Sequence, residues 1–450
     1  MKQHKCTATF RMPLNRFIGV DLYAMRSMAS RVVRMPGLLS WFLSCFLIVI
    51  AGGQCAFAQS SLYDWVATLP GADGVLVNTT ITNNGVSIPV EFIRYVGDRT
   101  YTASANLGST TPDAAMLMVR YEGNLTITNS ATLTAAARKR GMVIYVKGTL
   151  SIPKGSISMT GRGAAGVAGN NLLVLVNQRT ATSYSIPAAG AAGGPGWYQY
   201  LITTANGRVA ENGAVDSGRS GGGGGGGLRI TANGNTSNYR QSGTGSAGTS
   251  YSGGSGGGGM VGHWNYAVTS AGSGAANGGS GGAGAVGPPA SGAGGGAGNA
   301  GGSGSYTAFG TGAAGTAGTG GTLILFVDGL ASTAPNGSWT SKGSNGGGAT
   351  QYSTGGSAGG GGSGGGIIDV FSSGISGNMY DVSGGSGGSA QASGAVGGAG
   401  SVRTVAYAPL VLSGRVTNSL TGAGVNGISI SYSYGTSPVI TSNGGYYTIP

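Results

Sequence analysis

The chain has 450 residues, of which 96 are glycine, about one in five against the roughly 7% of ordinary proteins. Only 8% are charged while 40% are hydrophobic, with a mean hydropathy of +0.10. That balance excludes the apolar-poor, charge-rich composition of disordered chains, and a nearly uncharged backbone must satisfy its own hydrogen bonds. The formal net charge is +12.

The first 58 residues read as a secretory signal peptide. Arg26, Arg31 and Arg34 precede a thirteen-residue apolar run from Leu38 to Ile50, and small residues follow, ending in Ala56-Phe57-Ala58. A basic flank, an apolar core and an A-x-A site predict cleavage after Ala58, and the run is shorter than a membrane-spanning helix requires. A lipoprotein anchor at Cys55 would need a small residue before the cysteine, where Gln54 stands. Cys6, Cys45 and Cys55 all precede the cut, so the mature chain is expected to carry no disulfide, thiolate or cysteine ligand. The cut also removes seven of the 24 basic residues and one of the 12 acidic ones, leaving 17 against 11. That mild excess gives no basic face for nucleic acid. The mature protein is thus expected to be secreted, extracellular or at a bacterial cell surface, with no membrane span.

Residues 59–186 form an N-terminal β-rich region in which Val, Ile, Thr and Tyr occur in short runs bounded by Gly, Asn and Pro, with no helical period. The segment from Met118 is echoed 24 residues later from Met142, with Val119 matching Val143 and Tyr121 matching Tyr145. Weaker echoes begin at Leu172, Leu323 and Ile367. A unit of roughly 20 to 26 residues with about two strands cannot bury its own apolar face and must stack on its neighbours. The reading is all-β, a parallel β-helix or β-solenoid. Leu125, Ile127, Leu133, Leu150, Ile152, Ile157 and Met159 would point inward. An antiparallel sandwich or barrel of the same strands is the competing arrangement.

Residues 187–408 are a glycine-rich repeat region with interspersed strands. Gly253, Gly256, Gly259 and Gly262 recur at every third residue, and so do Gly278 to Gly287 and Gly292 to Gly304. Three residues per turn is the period of a polyproline II helix, which has no internal hydrogen bonds. Several such polyglycine II-type segments packed side by side could bond to one another, with glycine allowing the close approach. Collagen would need far more proline. A flexible Gly/Ser linker is the plainer alternative, against which stand the apolar strands Leu323 to Val327 and Ile367 to Phe371.

The pattern of polyglycine running into a short apolar strand, GGGGGGGLRI at 221–230, then GTGGTLILFV and SGGGIIDVF, resembles bacterial secreted glycine-rich β-helix surface proteins. The glycine zone, with Ala137 to Gly141 and Ile157 to Ala164, also resembles glycine-rich phage-tail proteins, some of whose adhesins hold their tips together with packed polyglycine helices. The resemblance implies such packing here. From Leu410 the chain is similar to the opening strands of the carboxypeptidase regulatory-like, transthyretin-type β-sandwich. Its first strand is expected at Gly414-Arg415-Val416, its second from Gly424-Val425 to Ile430, and a turn at Asn443-Gly444-Gly445-Tyr446. Residues 409–450 are read as the start of that module, broken off before it closes, which implies a noncatalytic spacer.

Candidate chemistry is sparse. His263 is the only mature histidine, which leaves no His-based triad or multi-histidine metal site. The stretch His263-Trp264-Asn265-Tyr266 and the cluster Trp197, Tyr198 and Tyr200 are the candidate ligand contacts, either as sugar-facing aromatics or as caps on a glycine bundle. Arg138, Lys139 and Arg140 either meet phosphate or acidic polysaccharide or form a solvated turn. Asp328, Asp369 and Asp381 do not pair for glycoside hydrolysis, because repeat alignment sets Asp328 opposite Ser372. The glycine runs lack the aspartate of calcium-binding repeats and the Lys-Ser/Thr of a phosphate loop. No catalytic residue, cofactor or metal is therefore expected. The sequence points to a structural or adhesive surface protein meeting polysaccharide or other cells. The alternatives are a phage-tail-like receptor-binding adhesin and, disfavoured, a polysaccharide-active β-helix enzyme. Ice binding would require a regular Thr ladder, which the sequence does not display.

Overall fold

The computed structural model describes residues 61–177, 182–196, 198–199, 210–230, 240–262, 293–294, 304–305, 311–312, 318–333, 337–350, 357–377, 379–406, 412–430 and 439–449. Residues 1–58, the expected signal peptide, lie outside them. Among the described residues the fold is all-β apart from one short helix, α1 (Leu62–Thr68). No helical period is legible here because seven residues supply only two buried apolar positions, Leu62 and Val66. The legible signal was the capping box. Asp64 N–H donates to Ser61 Oγ (3.2 Å) and Ser61 N–H donates to Asp64 Oδ2 (2.9 Å).

Strands β1 (Leu76–Asn83) and β2 (Val86–Tyr95) form an antiparallel hairpin. Its two-residue turn, Asn84-Gly85, has φ of 49° and 77°, the Asn-Gly turn that matches strand twist. The chain then makes successive passes of three short strands. The first is β2, β3 (Arg99–Tyr101) and β4 (Ala105–Leu107). The second is β5 (Met116–Tyr121), β6 (Leu125–Ile127) and β7 (Ala131–Ala135). The third is β8 (Met142–Val146), β9 (Leu150–Ser151) and β10 (Gly155–Ser158). Corresponding strands pair in parallel from pass to pass.

The 24-residue echo needs a correction. Leu117 faces Met142 and Tyr121 faces Val146, a step of 25, whereas Leu133 faces Ile157, a step of 24. The lost residue falls in the turn before β10, where Pro153-Lys154 does the work of Thr128-Asn129-Ser130. A one-residue slip moves a side chain to the other face of a sheet. Tyr121 accordingly lies in one hydrophobic core, while Tyr145, its sequence match, lies in a second that includes Leu62 and Val66 of α1. Strands β5 and β8 are buried on both faces, which explains their unbroken apolar runs. Leu125, Ile127, Leu133, Leu150, Ile152, Ile157 and Met159 all lie in the first core and are fully buried.

After β10 the next described strand of the parallel ladder begins at Thr322. The echo at Leu172 is not a further pass. Strand β11 (Leu172–Asn177) pairs antiparallel with β12 (Thr182–Ile186), and Leu172 and Val174 pack into the second core. Short pairings follow among β13 (Tyr198–Gln199), β14 (Leu228–Ile230), β15 (Arg240–Gln241), β16 (Met260–Gly262), β17 (Ala293–Gly294), β18 (Gly304–Ser305) and β19 (Thr311–Gly312). The ladder resumes with β20 (Thr322–Ser332), whose first half lies beside β8 and second half beside β9, and β21 (Ser338–Thr340) lies beside β10. Beyond β22 (Ala349–Thr350) and β23 (Ser357–Ala358), which pair with β19 and β18, come β24 (Ile367–Ser376) and β25 (Tyr380–Asp381), parallel to β20 and β21. Strand β26 (Ser401–Ala406) closes the series beside β24.

The last described residues form two antiparallel pairs. Strand β27 (Leu412–Arg415) lies against β30 (Tyr446–Ile449), and β28 (Ser429–Ile430) against β29 (Val439–Ile440). Asn443, Gly444 and Gly445 all have positive φ, as the expected turn requires. The second strand expected from Gly424 is regular only at Ser429–Ile430.

Candidate functional site

Between the passes, glycine segments run out from the parallel sheet and back as arms. In Gly221–Gly227 the amide donors rotate among three neighbours. Gly221, Gly224 and Gly227 donate to the carbonyls of Gly365, Gly362 and Gly359. Gly222 and Gly225 donate to Ala214 and Glu211, and Gly223 and Gly226 to Ser246 and Gly243. The carbonyls rotate likewise. Those of Gly221 and Gly224 accept from Gly254 and Gly257, those of Gly222 and Gly225 from Gly398 and Ala395, and that of Gly223 from Gly194. Every one of these bonds is 2.7 to 3.0 Å long. Gly359–Gly365 repeats the pattern, with donors alternating among 392–398, 344–347 and 254–257.

A three-residue rotation of partners is what a helix of three residues per turn produces when others surround it. None of Gly221–Gly227 has a positive φ. Glycine is needed here for proximity rather than for left-handed backbone. A Cβ on Gly223 would run into the backbone of Ser255, one on Gly222 into Ala192, and one on Gly226 into Gly258. Buried Ser220, Ser255 and Ser363 are admitted among the glycines. Ser363 Oγ, for example, accepts from Ser344 N–H at 2.7 Å.

The direction of the arms corrects one sequence equivalence. Gly221 lies opposite Gly365, just before β24, and Gly227 opposite Gly359, so 221–227 runs away from the parallel sheet. Leu228–Ile230 therefore joins Met260–Gly262 at the far end, while the similar-looking runs before β20 and β24 lead into the sheet. Of the candidate contacts, Tyr198 sits in β13 opposite Gln241, also at the far end. Trp197, Tyr200, His263, Trp264 and Tyr266 lie outside the described residues.

The basic triplet is neither a contact nor a solvated turn. Lys139 is fully buried, and its Nζ donates to Glu91 Oε1 (2.6 Å), Ser109 Oγ (3.1 Å) and the Thr111 carbonyl (2.9 Å). Burial pushes the Glu91 carboxyl up, but the bonds from Lys139 and from Ser109 N–H and Oγ outweigh it and hold the group below its ordinary value. Arg138 forms a two-point bond to Asp113, and Arg140 Nε donates to the Asp113 carbonyl. The sequence hid this because the partners lie some 25 to 48 residues away.

The three carboxylates are likewise engaged separately. Asp369 is buried, which pushes its carboxyl up against the opposing pull of Arg403, whose guanidinium bonds both oxygens and lies over the Tyr184 and Phe371 rings. Asp328 accepts from Tyr145 O–H (2.6 Å). Partial burial raises Asp381, but bonds from Ser383 and Lys342 bring it below its usual range. Ser372 faces Val327, one position from the alignment's Asp328, and Ile324 faces Asp369.

Among the described residues, no group of three or more His, Cys, Asp or Glu side chains is placed to hold a metal, and no helix is long and apolar enough to cross a membrane. Comparison with protein-family models, curated proteins and solved structures finds no significant match.

Proposed function

We propose that the chain is a secreted or cell-surface structural and adhesive protein. In this reading the stacked passes form a β-solenoid, the arms are polyglycine II-type helices, and their far ends display loops for contact with glycan or with other cells. Trp197, Tyr198, Tyr200, His263, Trp264 and Tyr266 would be the contacts, since aromatic rings offer an apolar face and, in Tyr and Trp, a polar edge. Secretion rests on the basic-flanked apolar run before Ala58.

The observation that carries the reading is the rotation of hydrogen bonds through Gly221–Gly227 and Gly359–Gly365. It uses the polar backbone of those arms internally and holds them straight. At about 3.1 Å per residue, seven residues set the far end roughly 20 Å from the sheet. Such a bundle serves projection. The same packing favours, as a second reading, the phage-tail-like receptor-binding adhesin.

The test is binding of the purified, labelled protein to intact bacterial cells and a polysaccharide panel, beside a variant carrying Trp197→Ala, Trp264→Ala and Tyr266→Ala. Saturable binding that the variant loses supports display by the arm ends. Absence of binding by the folded protein leaves a passive structural role.

A further inference from the structure

The five-stranded parallel sheet turns alternate residues outward. Pairing places Thr132, Ser156 and Ser338 in one row and Thr134, Ser158 and Thr340 in a second. The members of a row are 24 and 182 residues apart in the chain, which is why the sequence shows no ladder. Most of these hydroxyls are held within the rows. Thr132 Oγ1 lies 3.0 Å from Ser156 Oγ, Thr340 Oγ1 donates to Ser158 Oγ (2.8 Å), and Thr134 Oγ1 donates to the Ser158 carbonyl (2.8 Å).

One end of these rows opens into a shallow groove of about 300 Å³ lined by Ser130, Lys154, Gly155, Ser156 and Ser338. Its wall is unusual backbone. Asn129 (φ 54°) and Ser130 (φ 58°) are consecutive non-glycine residues in the left-handed region, held by a bond from Ser130 N–H to the Lys154 carbonyl (2.8 Å). The equivalent turn of the next pass, Pro153-Lys154, is a residue shorter and has no positive φ. Lys154 is exposed and forms no ion pair among the described residues.

We propose that this groove and the hydroxyl rows beside it bind an acidic glycan chain. Within a row the hydroxyls recur about every 4.8 Å across the strands, comparable to the rise of one sugar in an extended polysaccharide. Their preset hydroxyls can donate to and accept from sugar hydroxyls without further ordering, and the Lys154 ammonium supplies the counter-charge for a carboxylate. A neutral chain would meet the rows but leave Lys154 unused, so carboxylate-bearing chains bind better. The surface is distinct from the arm ends.

The test is calorimetric titration of the purified chain with hexagalacturonate and with cellohexaose, repeated for Lys154→Glu, Ser338→Leu and the arm-end triple variant, with thermal melts as the folding control. The expected result is saturable hexagalacturonate binding that exceeds cellohexaose binding and weakens with salt. Lys154→Glu and Ser338→Leu should each reduce it at least tenfold without lowering the melting temperature, and the triple variant should leave it unchanged. No binding by the wild type, equal binding by both outward-face variants, or loss in the triple variant alone would overturn the assignment. The last outcome would instead support the arm ends as the glycan site.

Discussion

Lys139 has no route to solvent. Its three ammonium protons are all taken up by Glu91, Ser109 and Thr111, and its side chain and that of Glu91 are 0% and 4% exposed. Removing one member leaves the other charged and buried, which typically costs about 3–5 kcal/mol, whereas replacing both by apolar groups of similar size is often neutral. Lys139→Met should therefore destabilise strongly, and Glu91→Leu added to it should recover a large part of the loss, measured by denaturant unfolding of the single and double variants. The same pair sets a pH response. A carboxyl held below its unfolded value contributes stability that is present above about pH 4.5 and lost as pH falls through the lower folded value. Asp369, held above its ordinary value, acts with the opposite sign, because acid relieves its cost. Melting temperature followed from pH 6 down to pH 3 should fall more steeply for the wild type than for the Glu91→Leu/Lys139→Met variant.

At the level of the arm, the bond pattern depends on counting by three. Inserting one alanine-free residue, a single glycine, between Gly223 and Gly224 rotates every later donor to the wrong neighbour, while inserting three glycines restores the rotation and only lengthens the arm. Amide hydrogen exchange should show protection across 221–227 and 359–365 in the wild type, lost with the single insertion and largely kept with the triple one. Glycine identity separates in the same way. Gly223→Ala meets the Ser255 backbone and should open the bundle locally, whereas Gly218 (φ 74°) has open space around it, so Gly218→Ala costs only the roughly 1–2 kcal/mol of left-handed backbone. The spacing of three at Gly253, Gly256 and Gly259 was legible in the sequence because it is local, whereas Gly278 to Gly287 and most of Gly292 to Gly304 lie outside the described residues. Apolar positions such as Leu125 and Ile157 were legible for the same reason, since alternation along one strand fixes the face. The direction of an arm was not legible, because GGGGGGGLRI and GGGIIDVF read alike until their partners are known. Nor were the pass-to-pass register and the hydroxyl rows, because both depend on turn lengths that a repeat alignment averages away. The burial of Lys139 was hidden too, since its partner arrives from β2.

Above the single arm, the described sheets are tied together by pairings of long sequence separation. Strand β8 meets β20 across residues 147–321, and the arm 221–227 takes its partners from segments between residues 194 and 398. Closing such loops is entropically costly and is repaid only when the distant partner arrives, so folding of this kind is slow and strongly coupled along the chain. A central arm is the extreme case. The amides of the arm bond only to neighbouring segments, so each missing neighbour strips every third donor or acceptor at once. A chain ended at residue 320 keeps the first three passes, whose strands pair among themselves, but loses the acceptors Gly359, Gly362 and Gly365 and the donors Ala395 and Gly398. The expected outcome is a divided response in hydrogen exchange. Amides of β5 and β6 should stay protected, while those of Gly221, Gly224 and Gly227 should exchange as in an unfolded chain. Retained protection of those three glycines would mean that the arms stand without the returning segments, and the bundle would then be a set of local hairpins rather than one cooperative unit.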